Sequence, residues 1–183
     1  MGLRKLPYKG LDDLFKDNKT EKADAKTAAV LKIFKKTKQR GWITKSDLIA
    51  VCRWKSPRAI HHIQSNRPQI VKTISRKAIQ SRNEEEKMRL LVLLKGVSIP
   101  MASSILMFLN PRKYGVIDIR VWQVLYKLGI VKTNARGTGF SVSEWLLYLD
   151  IIRVHALKNN MSVREAEYIL FQVHEKYQWG PLY

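Results

Sequence analysis

The fold is decided by residues 90–110, which read LLVLLKGVSIPMASSILMFLN. Two strongly apolar segments flank a short break that contains Gly96, and three small residues follow Pro100 closely. Proline suits the first turn of a helix, where its missing N–H is no loss, and small side chains let two helix backbones approach each other. The stretch therefore predicts two buried helices, over about 84–95 and 100–109, joined by a tight turn.

The rest of the chain follows the same helical pattern. Its apolar residues recur at helical spacing or cover all faces, and no segment alternates as a strand would. At 183 residues the chain is long enough for one well-buried core, so we expect a single all-α domain over 1–183. The start is predicted to be basic and loose, and further helices are predicted over about 24–38, 46–53, 57–65, 67–81, 119–128, 141–158 and 162–178.

Local chemistry supports two of these helix starts. Ser141 with Glu144, and Ser162 with Glu165, have the spacing of capping boxes, in which a hydroxyl and a carboxylate satisfy free backbone donors. The stretch 132–140 contains two glycines and is predicted to be an exposed loop.

The charge of the chain indicates an anionic partner. Lys and Arg number 34 against 15 Asp and Glu, which gives a formal charge of +19. The excess of basic over acidic residues is most marked in segment 41–83, where Asp47 is the only acid beside nine basic residues. This excess favours a polyanion as the partner of the segment. A membrane surface could also attract such a chain, but it has no signal-peptide core and no 18-residue apolar run, so we expect nucleic acid and no membrane. The nine basic residues are Lys45, Arg53, Lys55, Arg58, Arg67, Lys72, Arg76, Lys77 and Arg82.

Few residues of the chain suit a metal. Cys52 is the only cysteine, which excludes an internal disulfide and any cluster that needs several thiolates. We therefore expect a reducing compartment, no bound metal and no cofactor. The histidines lack metal-ligand spacing to one another; they are His61, His62, His155 and His174.

Gly96 and Asp118 are the residues with the clearest functional interpretation. The turn at Gly96 would leave backbone N–H groups at the positive end of a helix, a ready anion site, and Lys95 adds a mobile charge. An ordinary helix C-cap explains Gly96 equally well. Asp118 lies at the start of an amphipathic helix and is most simply an N-cap. That role is compatible with function, because a capping Asp is held rigidly with one oxygen free.

Residues 90–110, followed by PRKYGVIDIRVW at 111–122, resemble the helix-hairpin-helix and Asp signature of the DNA glycosylase superfamily. This superfamily includes endonuclease III, 8-oxoguanine glycosylase and the alkyladenine glycosylases. The likeness covers 84–128, and LIAVCRWKSPRAI at 48–60 is similar to the family segment that presents residues to the minor groove. The resemblance implies a glycosylase-like helical fold, with the hairpin motif at about 84–109, a catalytic-Asp segment at 111–128 and a basic DNA-facing segment at 41–83.

The resemblance also implies roles for individual residues. Lys95 and the backbone N–H groups of Gly96, Val97 and Ser98 would hold DNA phosphates, in some relatives beside a monovalent cation. Ser98 replaces the second hairpin glycine of the family and tolerates fewer backbone conformations. Asp118 would stabilise the positive charge that develops on the sugar and orient or deprotonate the nucleophile.

In relatives that also cut the strand, a lysine four positions after the first hairpin glycine attacks the sugar. That position is Pro100 here, so we expect a monofunctional hydrolase that uses water. Its partner would be double-stranded DNA with a lesion or mismatch, bound by a monomer in the cytoplasm with the DNA, in the nucleoid or nucleus. A second function fits the departures at Ser98 and Pro100, namely a non-catalytic DNA- or RNA-binding protein that retains this fold.

Extrusion of a nucleotide leaves a gap that a side chain must fill. Lys55, Ser56 and Arg58 are candidates for contact with DNA and Trp54 for stacking, although Trp54 could equally be core and the cations solvated. Other aromatic residues could line a base pocket, but aromatics at helical spacing are more often core, an interpretation we favour for Trp122. These further pocket candidates are Trp42, Trp122 and Phe140.

Overall fold

The computed structural model describes residues 2–20 and 24–182. Within them the chain forms ten α-helices and one short antiparallel strand pair, which confirms the all-α prediction. The strands are β1 (Gly2–Leu3) and β2 (Gln178–Trp179), and a 3₁₀ turn spans Pro57–Ala59. The helices are α1 (Leu11–Asp17), α2 (Ala25–Arg40), α3 (Lys45–Lys55), α4 (Ile60–Gln64), α5 (Pro68–Gln80), α6 (Glu84–Leu91), α7 (Ile99–Leu109), α8 (Ile119–Lys127), α9 (Val142–Lys158) and α10 (Val163–Tyr177).

The N-terminal segment is more ordered than the sequence suggested. The prediction of a loose start is wrong for 11–17, because Leu11, Leu14 and Phe15 share one face of α1 and are buried. Such i, i+3, i+4 spacing places apolar side chains on one side of a helix. The pairing of β1 with β2 then ties the start of the chain to its end.

Helix α6 is shorter than predicted, ending at Leu91 rather than at residue 95. After Leu91 the backbone tightens into three-residue turns, in which the N–H of Leu94 donates to the carbonyl of Leu91 over 3.2 Å. This bend buries Leu94 and leaves Leu93 66% exposed. The connection between α6 and α7 is therefore longer than the sequence indicated.

Both predicted capping boxes are confirmed. Ser141 and Ser162 accept from the backbone N–H of the residue three positions on, and the glutamates at those positions accept in return. A third box, which was not predicted, lies at the start of α3, where Thr44 pairs with Asp47 in the same way. Asp47 also binds Arg40, so the one acid of segment 41–83 is used structurally.

Helix α7 runs through the core and positions the segment that follows it. The ring of Phe108 meets those of Phe34 and Trp54, with centroids 5.4 and 4.9 Å apart. The hydroxyl of Ser103 accepts from the backbone N–H of Ile117 over 3.2 Å. This bond anchors the chain next to the N-terminus of α8. No helix among the described residues is long and apolar enough to cross a membrane.

Candidate active site

Asp118 caps helix α8 and is held on both of its oxygens. Its Oδ1 accepts from the backbone N–H of Val121 over 3.1 Å, as expected of an N-cap. Its Oδ2 accepts from Nζ of Lys55 over 2.9 Å. The expectation that one oxygen would be free is therefore wrong, because a lysine from a distant helix fills that place.

Lys55 reaches Asp118 because α3 ends there. It is the last residue of α3, and the backbone leaves the helix at Ser56 before the 3₁₀ turn begins. The Lys55 and Asp118 side chains are 17% and 16% exposed. Burial acts to raise the pKa of Asp118, but the Lys55 ammonium and the Val121 N–H outweigh it and lower that pKa below its ordinary value. Asp118 is thus an ionised carboxylate in largely buried surroundings.

The Lys55–Asp118 pair lies in the wall of a pocket of about 630 Å³. The other walls come from the start of α7, the start of α8, the loop at 137–140 and one face of α10. Ligand pockets in proteins have about this volume. Predicted residues that line the pocket are Trp54, Lys55, Ser56, Arg58, Ser98, Pro100, Asp118 and Phe140.

Helix α10 supplies a wall that the sequence analysis did not foresee. Arg164, Glu167, Tyr168 and Phe171 all line the pocket. The Arg164 guanidinium lies over the Tyr168 ring at 4.8 Å from its centroid and over the Trp54 ring at 5.8 Å. A signal for this wall was present, since the four positions have the i, i+3, i+4, i+7 spacing of one helix face.

Glu167 is a second carboxyl group in this pocket. It is 1% exposed and pairs with Arg164. Burial and the nearby Asp118 raise the pKa of Glu167, against the effect of Arg164. Gly115 makes this approach of α10 possible, because a Cβ there would lie 2.5 Å from Tyr148 Oη and 2.8 Å from Glu167 Cβ. The pocket therefore holds two carboxyls whose pKa values shift in opposite directions.

The turn at Gly96 is packed against α4. Gly96 has a φ of +79°, and a Cβ there would lie 2.8 Å from His62 Cβ. The side chain of Asn66 fixes the turn by accepting from the N–H of Lys95 and donating to its carbonyl, each over 2.9 Å. The N–H of Val97 donates to Leu94 and so is not available to a ligand.

Two other backbone donors of this turn remain open. Among the described residues, none accepts from the backbone N–H of Gly96 or Ser98. The Ser98 hydroxyl makes no capping bond to α7, and Ser98 also lines the pocket. The turn and the pocket are therefore neighbouring surfaces. The side chain of Lys95 is exposed and does not line the pocket.

Of the remaining aromatic candidates, Trp42 lies outside the pocket and Trp122 lies in the core. Trp42 lies outside the pocket, between the Arg40 guanidinium at 4.6 Å and the Lys72 ammonium at 4.8 Å. Trp122 is fully buried, and its Nε1 donates to the carbonyl of Thr133. Its ring packs against Phe140, the aromatic of the loop that lines the pocket. Trp122 therefore supports the pocket from behind.

The loop predicted over 132–140 is irregular, as expected, but only partly exposed. Gly137 is buried, and a Cβ there would lie 3.1 Å from the carbonyl oxygen of Ile119. The loop consequently packs on the first turn of α8, next to Asp118. Among the described residues no group of three or more His, Cys, Asp or Glu could hold a metal ion. Comparison with family models, curated proteins and solved structures gives no match.

Proposed function

We propose that this protein is a DNA N-glycosylase that releases a damaged or mismatched base from double-stranded DNA. The observation that carries the proposal is Asp118, an ionised carboxylate held in place by Val121 and Lys55 in the wall of a pocket. Next to the pocket, the turn before α7 has two open N–H donors. The arrangement of α6, turn and α7 is compatible with the helix-hairpin-helix motif that the sequence suggested.

The chemistry follows from the charge of Asp118. Cleavage of a glycosidic bond develops positive charge on the sugar, and a fixed, largely buried carboxylate stabilises that charge. The low pKa of Asp118 keeps it ionised at neutral pH. A rigid carboxylate needs little reorganisation during the reaction, which is the main advantage of a preorganised site.

The pocket walls suit a flipped base. Trp54, Tyr168 and Phe171 offer aromatic surface, and the Arg164–Glu167 pair offers hydrogen-bonding groups. Enzymes that act on a base take it out of the stack and read it by stacking and by hydrogen bonds to its edge. The pocket volume of about 630 Å³ leaves room for a base and its sugar.

The binding surface around the pocket is basic. Arg58 lines the pocket, and Lys95 lies exposed on the neighbouring turn. The open N–H groups of Gly96 and Ser98 could bind a phosphate oxygen, since backbone donors commonly hold DNA in register. The excess of +19 charges would strengthen this grip through counterion release.

The test is base release from a panel of duplexes that each carry one damaged or mismatched base. We expect the wild type to release at least one base, and Asp118→Asn to slow that release by about 100-fold or more. Asp118→Asn preserves the helix cap, because Asn caps as well as Asp, and the rates are compared for proteins that circular dichroism shows to be folded, so the loss reports the charge. Salt-sensitive binding without release from any duplex would instead support the non-catalytic alternative, and equal rates for both proteins would refute the role of Asp118.

A further inference from the structure

Trp42 lies at the opposite end of α2 and α3 from the pocket. Asp24, which caps the start of α2, and Lys55, the last residue of α3, both line the pocket. Trp42 lies in the connection between these two helices. Because a helix rises about 1.5 Å per residue, the 16 residues of α2 place Trp42 about 24 Å from the pocket end of that helix. The ring of Trp42 therefore belongs to a different surface.

The backbone is fixed on both sides of the Trp42 side chain. The carbonyl of Trp42 accepts from Nε of Arg40 over 3.1 Å. The next backbone N–H, that of Ile43, donates to the hydroxyl of Ser75 on α5 over 3.0 Å. The Trp42 side chain is half-buried, so part of its ring faces solvent. An aromatic ring held in this way can stack on a flat partner at little cost in conformational entropy.

The two cations beside the ring are held differently. Arg40 also donates to the hydroxyl of Thr37 and forms an ion pair with Asp47, so its charge is already balanced. The Lys72 ammonium lies 4.8 Å from the ring centroid, and among the described residues no carboxylate pairs with it. This ammonium is the end of a flexible stem. Lys72 can therefore move from the ring to an anionic group and leave the ring to another partner.

Each cation beside the ring has a further basic residue one helical turn away on its own helix. Lys36 on α2 lies four positions before Arg40, and Arg76 on α5 lies four positions after Lys72. Both of these side chains are exposed. Segment 25–83, which contains all four cations, has fifteen basic residues and one acid. A surface with this charge attracts a polyanion.

An exposed apolar side chain lies among these cations. Ile33 is 39% exposed, and it precedes Lys36 and Arg40 by three and seven positions, which is the spacing of one helix face. The attraction of phosphates does not require an apolar group or an aromatic ring. An unpaired strand, in contrast, presents the flat faces of its bases together with its phosphates. The combination of ring, apolar side chain and cations therefore favours an unpaired strand over a duplex.

We infer that Trp42 and Lys72 form the centre of a second nucleic-acid site, which binds single-stranded nucleic acid. One unpaired base stacks on Trp42 as Lys72 moves onto a phosphate, and Lys36 and Arg76 bind phosphates on either side. Every base has a flat π face, so a site of this kind binds without sequence preference. The site is separate from the pocket, and it does not depend on the proposed function.

The experiment measures binding of the 183-residue protein to fluorescein-labelled oligothymidylate by fluorescence anisotropy at several salt concentrations. The strand has about 12 nucleotides, within the range that single-strand sites of other proteins cover. Trp42→Leu removes the aromatic face and should weaken binding about tenfold, the contribution of one stacked base, without changing the salt dependence. Lys72→Gln removes one phosphate contact and should reduce the slope of log K against log salt concentration by about 0.7.

The matched controls make the same changes elsewhere on the surface. Trp179→Leu replaces a tryptophan that is 56% exposed, and Lys127→Gln replaces an exposed lysine on α8. Both should bind like the wild type, with the same salt dependence. Trp42→Phe keeps an aromatic ring and should lose less affinity than Trp42→Leu. Circular dichroism checks that each variant is folded.

A photocrosslink locates the base on the wild-type protein, so this test needs no variant. Under near-ultraviolet light, 5-iodouracil in the strand forms a covalent bond to a nearby aromatic side chain, and peptide mass spectrometry identifies the residue. We expect the crosslink at Trp42. Crosslinks only to the pocket residues Trp54, Tyr168 and Phe171, or equal binding by Trp42→Leu and the wild type, would overturn the inference.

Two further ligands of the same length identify what the site takes. Equal binding of oligouridylate and oligothymidylate supports a site for either nucleic acid, and a clear preference identifies RNA or DNA as its source. Binding of a duplex that depends equally on Trp42 would overturn the assignment to single strands. Base release in the lesion panel tests Asp118 separately, so its absence would refute the glycosylase and leave the site at Trp42 standing.

Discussion

Removing one charge of the Lys55–Asp118 pair is expected to destabilise the fold, and removing both should restore much of the loss. Asp118→Asn keeps the cap of α8 but leaves the Lys55 ammonium without its carboxylate. Because the two side chains are only 17% and 16% exposed, this change approaches the breaking of a buried pair, which costs about 3–5 kcal/mol. Water in the pocket solvates part of the charge, so we expect a loss of about 2–3 kcal/mol.

The second single variant, Lys55→Met, keeps an unbranched stem and leaves Asp118 unpaired, with a similar expected loss. In Lys55→Met/Asp118→Asn neither charge remains, so the double variant should be more stable than the sum of the single losses predicts. We expect a coupling free energy of about 1–3 kcal/mol from this thermodynamic cycle. The coupling free energy measures the interaction between the two side chains, because the loss of stability caused by each single substitution cancels in the cycle.

Urea unfolding followed by tryptophan fluorescence gives the four free energies by linear extrapolation. The control cycle uses Arg89 and Glu85, a pair on the surface of α6 whose side chains are 64% and 46% exposed. Exposed helix pairs of this kind couple by about 0.3–0.5 kcal/mol. If the losses at Lys55 and Asp118 simply add to within about 0.5 kcal/mol, the two charges do not interact and the geometry proposed for the site is wrong.

Two further predictions test the parts that support the site. The pKa of His174 is lowered to about 4 by burial and by Arg120, so between pH 6.5 and about 4 the unfolded chain gains a proton that the native chain does not. The free energy of unfolding should therefore fall by about 3 kcal/mol as the pH is lowered across that window. Urea unfolding of His174→Gln should lack this fall, and an equal fall in the variant and the wild type would contradict the prediction. Gly96→Ala combines a φ of +79° with a Cβ 2.8 Å from His62 and should cost about 2–3 kcal/mol. The control Gly41→Ala, with a φ of +75° and open space, should cost only about 1 kcal/mol, and equal losses would refute the packing argument.

The sequence predicted those features that depend on neighbouring residues. Capping at Asp118 needs only the amphipathic helix that follows it, and the two serine capping boxes need a glutamate three positions away. The buried helix α7 follows from an apolar run, and the turn at Gly96 from a glycine between two such runs. Local rules predicted the ends of helices less well. Helix α6 stops at Leu91, and the bend that follows buries Leu94.

The features that escaped prediction depend on contacts between distant segments. Lys55 and Asp118 are 63 positions apart, and nothing in either local sequence indicates that they meet. For Arg164 and Glu167 the sequence predicted only a helix over 162–178, since a charged face of a helix is usually solvated. The burial of Glu167 depends on Gly115, where the absence of a side chain lets α10 approach.

The ionisable groups of the pocket are better explained by chemistry than by stability. A cap for α8 requires Asp118 and its bond to Val121, and nothing more. The pocket nevertheless also holds Lys55 and Glu167, both largely buried, at a desolvation cost that apolar side chains would avoid. Together these residues place a fixed negative charge, an amine and a carboxyl of raised pKa around one cavity. Catalytic sites need groups with such unlike protonation behaviour side by side, whereas binding to the DNA backbone needs only positive charge. The composition of the pocket is therefore our reason for proposing an enzyme rather than the non-catalytic binding protein.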